Sequence, residues 1–293
     1  MTTTDDKRYS LSPSRASDFQ TCPRLYQLRH LAGLPEPPSV EAYRGTLVHT
    51  VLERLFDLPA QQRTLDQAVA LLRPEWDRIV QQEDADLAAL LFGPGDNWER
   101  SQAHLPLEPA DDRAVEQFLA GARERLRTYF ALEDPSRVEP AERELAVQAT
   151  VADGLLLRGF VDRLDRAPDG RTRVVDYKTG RAPVAAFEQK AMFQLRCYAL
   201  VLWRSSGVAP TVLQLLYLGD GQVLRYLPDE ADLLATERKL GALWAAIRRA
   251  YDADRWPART SPLCGYCSFK PTCPAWDDAA EGASGPRGAT VVT

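Results

Sequence analysis

Three charged residues on two neighbouring segments carry the densest chemistry in the chain. Asp176 and Lys178 stand two apart in Val174-Val175-Asp176-Tyr177-Lys178-Thr179-Gly180, and Asp162 lies in Gly159-Phe160-Val161-Asp162-Arg163-Leu164-Asp165. Residues two apart on a strand share a face. Asp176 and Lys178 therefore point one way, and Val175 and Tyr177 pack on the other. The Asp169-Gly170 pair between the segments predicts a hairpin that brings Asp162 within reach. Two hard carboxylates converging on one point suit Mg²⁺ or Mn²⁺. A lysine beside them can hold or polarise a water and counter the charge of a phosphate. The same spacing also fits a plain surface hairpin with an ion pair, so the flanking elements decide between the two.

Those elements add polar groups. Gly45-Thr46-Leu47-Val48-His49 lies on a helix predicted from Tyr43 to Leu58. His49 is one of three histidines, and a neutral imidazole can complete a divalent site. Gly45, four residues earlier, permits close backbone approach. Glu53, four residues later, shares the helix face. It can hold the other ring nitrogen or simply face solvent. Beyond the hairpin, Gln194 and Tyr198 share a face of a helix predicted over 187–205. An amide and a phenol can align a phosphate or a base without cancelling a metal's charge.

The five cysteines form a second constellation. Cys264, Cys267 and Cys273 give C-x2-C-x5-C, one ligand short of a tetrahedral site. Cys197 falls inside the apolar pattern of its helix and reads as a buried structural thiol. Cys22 is followed by proline, as is Cys273, and is the fourth ligand chosen. Four thiolates fit Zn²⁺ or an iron–sulfur cluster. The spacing leaves both open, beside unrelated thiols. Either metal would clip the two ends of the chain together.

The order of elements that must position these groups is helix, three strands, helix, two strands, helix. It predicts an α/β fold in which a mixed sheet is flanked by helices. Ser12 or Ser14 caps a first helix running through Leu28, and Pro35, Pro37 and Pro38 mark a linker. Strands are expected at Glu144–Thr150, Leu155–Leu164 and Thr172–Lys178, then at Val212–Leu218 and Val223–Leu227, before a helix from Asp229 to Tyr251. Residues 59–137 are charged and helical in pattern, broken at Gly93-Pro94-Gly95-Asp96-Asn97, and read as a helical insertion. Their charged face serves solubility or borders a substrate channel. Residues 1–11 and 277–293 read as flexible tails.

Composition bounds the function. With 293 residues, 45% hydrophobic and 26% charged, the chain can bury a core without disulfides, which excludes a disordered or fibrous protein. There is no apolar run of membrane length and no secretory signal pattern. A cytoplasmic, reducing location is expected, so the cysteines are not a disulfide framework. Lys plus Arg total 36 against 41 Asp plus Glu, a net charge of -5. That disfavours a global nucleic-acid-binding field but leaves room for a local basic track.

Taken together, the motifs resemble the RecB-family nucleases of the PD-(D/E)XK superfamily, in the iron–sulfur branch with AddB-type and CRISPR-adaptation nucleases. Gly45 to His49 is similar to the family's GxxxH. Asp162 matches the aspartate of GxxDR(I/L)D, Asp176-Tyr177-Lys178 matches D-x-K, and Gln194 to Tyr198 matches QxxxY. Cys22, Cys264, Cys267 and Cys273 match the cluster cysteines, and Glu144 resembles an acidic residue often seen on the first strand. The resemblance covers about residues 12–276.

It implies a restriction-endonuclease-like core over 41–58 and 138–251, with a cluster region formed by 12–40 and 252–276. It implies a DNA nuclease in repair, recombination or processing. Mg²⁺ or Mn²⁺ would be held by His49, Asp162, Asp176 and the Tyr177 carbonyl, with Lys178, Gln194 and Tyr198 completing the catalytic set. Glu53 and Glu144 support it, and a 4Fe-4S cluster braces the ends. Arg15, Arg24, Arg29, Arg123, Arg125, Arg127, Arg248 and Arg249 are candidates for the DNA track. The expected substrate is single-stranded DNA with a free end. The alternatives are a structure-specific endonuclease and a catalytically silent DNA-binding subunit, and a separate helicase or repair protein is a candidate partner. The chain has no G-x-x-x-x-G-K-S/T segment for an ATP-driven motor.

Overall fold

The computed structural model describes residues 10–83, 86–93, 111–184 and 188–276. Residues 1–9 and 277–293 of the expected tails, most of the Gly93–Asn97 break, and Phe187 at the start of the 187–205 helix lie outside them.

The chain enters through a strand where a tail was expected. β1 (Ser10–Leu11) pairs in parallel with β3, and both of its residues are fully buried. Helix α1 (Pro13–Thr21) follows at once. Ser12 caps it by accepting from the Arg15 N–H, and Pro13 supplies a preset first position. The helix does not run on to Leu28 as one piece. Pro23 disfavours helical geometry at the residue before it, and Cys22 is extended, with φ -159° and ψ 116°. A second helical segment, Pro23–Tyr26, then tightens into a π-type turn over Gln27–Leu31.

Helix α2 (Val40–Leu55) starts three residues earlier than its apolar stripe suggested, because Ser39 caps it. Helices α3 (Leu65–Glu83), α4 (Leu87–Phe92) and α5 (Asp112–Leu132) follow. Next come β2 (Pro140–Val151), β3 (Leu155–Arg166) and β4 (Thr172–Lys178), then α6 (Phe193–Ser206). β5 (Val212–Tyr217), β6 (Gln222–Tyr226) and α7 (Glu230–Asp252) complete the core.

The sheet order is β1-β3-β4-β5-β6, with β2 on the other edge of β3. β4 and β5 run parallel, so the chain must cross over between them, and α6 is that crossover. β1 meets β3 at Leu156 and Leu157, whereas β4 meets it only from Arg163 onward. Between those contacts β3 keeps β2 on one edge and has no ladder partner among the described residues on the other.

Both faces of the sheet are buried, in two separate cores. One packs Leu157, Val161, Leu164 and Val174 against Leu195 and Leu200 of α6 and Trp244 of α7. The other packs Val175, Tyr177 and Leu216 against Leu52 of α2, Leu72 of α3 and Phe118 of α5. The region read as an insertion is therefore the layer that covers one face of the sheet. Its charges are the solvent side of amphipathic helices. No helix among the described residues is long and apolar enough to cross a membrane.

The ends of the described chain meet through aromatic rings. Tyr26 stacks on Trp256 at 5.8 Å, and Phe19 meets both edge-on. Beside them Arg29 is clamped between Asp18, at 3.0 Å, and Glu36, at 2.6 Å. Burial works to raise the Asp18 pKa, but hydrogen bonds from His30 and Arg29 outweigh it and hold the group below its ordinary value. For Glu36 the Arg29 hydrogen bond is the main cause of the same lowering. A carboxylate depressed in the folded state contributes stability that is complete above its unfolded pKa and is lost as pH falls through its folded pKa. The Arg29→Met variant should therefore be less stable than wild type near neutral pH. The gap should narrow as pH drops below about 4. Urea unfolding across that range measures it, and a gap independent of pH would show that the clamp is not electrostatic.

Candidate active site

The end of β4, the unpaired stretch of β3 and the middle of α2 meet at one point. His49 reaches in from α2. Its Nε2–H donates to the Tyr177 carbonyl at 2.9 Å, and its Nδ1 lies 3.4 Å from Asp162 Oδ2. That same Asp162 oxygen accepts the Tyr177 N–H at 2.8 Å. One ligand atom each from His49, Glu144 and Asp162 lies within 4.8 Å of the others. Glu53 lines the same open cleft of about 430 Å³ with Gly45, Thr46 and His49.

Asp176 and Lys178 stand alongside, with Asp176 Oδ2 2.7 Å from the Lys178 ammonium. Lys178 also donates to Gln194 Oε1 at 2.9 Å, and the Gln194 amide donates to the Tyr198 hydroxyl at 2.8 Å. The hairpin thus brings Asp162 beside Asp176 and Lys178, as its turn predicted. The tighter three-group cluster includes Glu144 rather than Asp176.

Backbone irregularity marks both strands beside these groups. Glu144 lies between the Arg143–Arg163 and Leu145–Val161 pairs of the β2–β3 ladder, across from Asp162, and has φ +44°. A side-chain-bearing residue adopts that left-handed conformation only at a cost. On β3, Val161 packs in the α6-side core. Arg163, two residues on, bonds to Tyr177 beneath the opposite core. The alternation breaks just after Asp162: its carboxylate faces α2, and Arg163 stays on that side of the sheet instead of returning toward α6.

The electrostatics fit a cation. Burial raises the Asp162 pKa well above the ordinary carboxylate range, and the negative charge of Asp176 adds to it. Burial likewise raises Glu144, helped by Glu53 and Asp176. Asp176 Oδ2 is buried at ion-pair distance from Lys178 but without an aligned hydrogen bond. Crowded carboxylates with an unsatisfied buried oxygen and a neighbouring imidazole form the donor set of a hard divalent ion.

Beneath the site lies a buried polar network that the motifs do not reveal. The Arg163 side chain is 1% exposed and bonds to Glu133 at 2.6 and 2.9 Å, to the Tyr177 hydroxyl at 2.8 Å and to Asp165. Glu133 follows the last turn of α5. Burial works to raise its pKa, but the hydrogen bonds and charge of Arg163, with Arg173, hold it low. The available signal is a run of Asp162-Arg163-Leu164-Asp165 on a strand, where charges this dense need partners.

The basic residues divide. Arg15 is buried on the Ser10 carbonyl and the Tyr26 hydroxyl, and Arg29 is held by its two carboxylates. Both are committed to contacts within the fold. Arg24 donates to Gln27, and Arg127 pairs with Glu124. Arg123 is half-buried on α5, and Arg248 and Arg249 are exposed on α7. Arg125 comes nearest the site, donating to the Thr179 carbonyl at 3.2 Å.

Cys22, Cys264, Cys267 and Cys273 line one cavity of about 120 Å³ with Leu28 and Phe269. The Arg259 N–H points at Cys22 Sγ and the Ser261 N–H at Cys264 Sγ, at 3.3 and 3.4 Å. Cys197 is fully buried in the α6-side core, and burial pushes its thiol up, away from ionisation.

Comparison with known proteins bears on this arrangement. A family model described as the PD-(D/E)XK nuclease superfamily matches residues 10–274. The chain belongs to that superfamily. The Gene 69 protein of Mycobacterium phage L5 is 25% identical over 290 residues, covering 90% of this chain and 96% of that protein. A much longer protein of Streptococcus equi subsp. zooepidemicus (strain H70), one of the subunits of an ATP-dependent helicase/deoxyribonuclease, is 28% identical over 196 residues. That match covers 66% of this chain but only 16% of the streptococcal protein, so the PD-(D/E)XK chain is homologous to a small part of it. A solved structure from Eubacterium rectale, described as a candidate exonuclease, superposes with a TM-score of 0.53 at 10% identity, over 90% of this chain and 89% of that one. It shows the shared fold, a restriction-endonuclease-like mixed sheet between helices.

One contact within the PD-(D/E)XK core ties two motifs together. A Cβ placed on Gly159 would lie 2.6 Å from the Tyr198 ring. A glycine inside a strand marks such a close approach. Gly159→Ala should displace Tyr198, and through Gln194 the Lys178 ammonium. Misplacement of about 1 Å costs about 100-fold in rate, whereas overpacking costs about 1–3 kcal/mol of stability. Cleavage should fall far more than stability, as thermal unfolding and initial rates measured on one preparation will show.

Proposed function

We propose that this chain is a Mg²⁺- or Mn²⁺-dependent deoxyribonuclease, an exonuclease acting on single-stranded DNA from a free end. The observation that carries the reading is the convergence of His49, Glu144 and Asp162 beside the Asp176–Lys178 pair. His49, Asp162, Asp176 and the Tyr177 carbonyl are the groups that hold the ion, with Glu144 in reach. When bound, the ion lowers the pKa of an attacking water and offsets charge on the phosphoryl oxygens.

The chain's own residues do the rest. Lys178, steered by Gln194, orients the water and meets the growing negative charge. The Tyr198 hydroxyl accepts from Gln194, which leaves its own proton free to donate to a phosphate oxygen. Burial keeps that phenol protonated. Arg125 and the exposed arginines of α7 supply backbone contacts that weaken with salt. The streptococcal relatives are subunits of an ATP-dependent helicase/deoxyribonuclease, which supports work beside a helicase.

We also assign a 4Fe-4S cluster to Cys22, Cys264, Cys267 and Cys273. Among the described residues no three of these sulfurs come within 4.8 Å of one another. What supports the assignment is that all four cysteines line one cavity. Backbone N–H groups aimed at the sulfurs stabilise thiolate charge in the same way.

Three predictions test these assignments. Asp162→Asn, Asp176→Asn and Lys178→Ala should each lower cleavage by at least about 100-fold with the fold retained. Wild type should degrade linear single-stranded DNA faster than a circle of the same sequence, at matched nucleotide concentration. Equal rates with internal cuts as the earliest products would instead establish an endonuclease. Anaerobically purified protein should be brown, with about four irons per chain if all four thiolates hold one cubane. It should keep its colour in Cys197→Ala and lose it in Cys22→Ala. One stoichiometric zinc in a colourless protein would replace the cluster with a mononuclear site.

A further inference from the structure

The β2–β3 hairpin carries a side chain that the folded core does not use. Phe160 is 60% exposed, on the strand that bears Asp162. The residues on either side of it face α6: Gly159 lies under the Tyr198 ring and Val161 is fully buried in the α6-side core. Side chains alternate along a strand, so Phe160 faces the other way, the side from which His49 reaches Asp162. At a rise of about 3.3 Å per residue, it stands about 7 Å along β3 from Asp162.

Its immediate cross-strand neighbours are polar or small. Phe160 is paired across the ladder with Ala146, which covers little of the ring, and Glu144 and Gln148 flank Ala146. A sheet face open to water is ordinarily polar. A single exposed apolar residue needs no explanation by itself, but this one is an uncovered aromatic face within one nucleotide's span of the carboxylates.

We propose that Phe160 is a stacking platform for a nucleobase of the strand whose phosphate lies at the His49–Glu144–Asp162 site. The inference rests on the nuclease reading and extends it to how the strand is held. An aromatic face stacks on any base, so the grip is tolerant of sequence, and it requires a base that is unpaired and free to splay. The platform therefore selects single strands over duplexes at the point of cutting, without hydrogen bonds to base edges. The acidic surroundings make this contact useful, since Glu144 and Glu53 repel a backbone that the ring can still hold by its bases.

The test uses full-length protein, a natural single-stranded oligonucleotide and an abasic strand of the same length. Binding is measured with EDTA present and cleavage with Mg²⁺. Phe160→Ala should raise Kd and KM for the natural strand about tenfold, with kcat nearly unchanged, and should leave abasic-strand binding as in wild type. Phe160→Trp should restore tight binding, and its fluorescence should be quenched by the natural strand but not by the abasic one. Because the side chain is exposed, both variants should unfold at the wild-type temperature. Wild-type Kd and KM in Phe160→Ala on the natural strand would overturn the proposal, as would an equal loss on both strands. Failure of wild type to cleave either strand, with Phe160→Trp still quenched by natural DNA, would retain the platform and reject the nuclease.

Discussion

A buried guanidinium holds the site in place. Arg163 lies at the junction of β3, β4 and the end of α5, and it is bonded to Glu133, Asp165 and the Tyr177 hydroxyl. Its ring contacts continue over Phe56 at the end of α2. A charge this deep is tolerable only with its partners complete; removing one partner of a buried pair costs about 3–5 kcal/mol. That requirement governs the geometry above it. β3 must roll to present Arg163 to the α5 side, directly after Asp162 has faced α2. Tyr177 is gripped at its hydroxyl, so its N–H and carbonyl are set between Asp162 and His49. The helical layer thus does more than cover the sheet: through Glu133 it fixes the strand end where the polar groups converge.

The site itself is arranged against its own stability. Asp162, Asp176 and Glu144 crowd together, and burial adds to their mutual repulsion. Lys178 answers only part of that charge, and it is shared with Gln194. Such an arrangement suits a divalent cation, since one ion can offset several carboxylates at once. The left-handed backbone at Glu144 has the same character: strain that the surrounding ladder sustains because both neighbouring pairs remain formed.

Far from this centre, the two ends of the described chain are joined twice. Trp256 stacks on Tyr26 and meets Phe19 edge-on, and the Arg259 guanidinium donates to the Gln20 carbonyl while its N–H meets Cys22. The aromatic contacts do not depend on any metal. The cysteine cavity therefore sits on a scaffold already closed by apolar packing, with Cys22 at the break between two helical segments.

The sequence alone determined the local features. Val-Val-Asp-Tyr-Lys alternation specifies which residues share a strand face, Asp169-Gly170 specifies the hairpin, and the Gly45–His49 spacing puts a histidine on the inner face of a helix. Strand, turn and helix periodicity are short-range, and each is legible within a window of about ten residues. Periodicity could not reveal that residues 59–137 supply a second core, because an amphipathic helix does not name the surface it covers. Nor could it separate Arg15 and Arg29, which are structural, from Arg125 beside the site; all three are arginines on helices until their partners are known. The roll of β3 after Asp162, the place of Glu144 beside His49, and the contact of Gly159 with Tyr198 were decided by tertiary structure. Each joins residues remote in sequence through packing and buried charge, and the free energy of such contacts exists only once both sides of the sheet are closed.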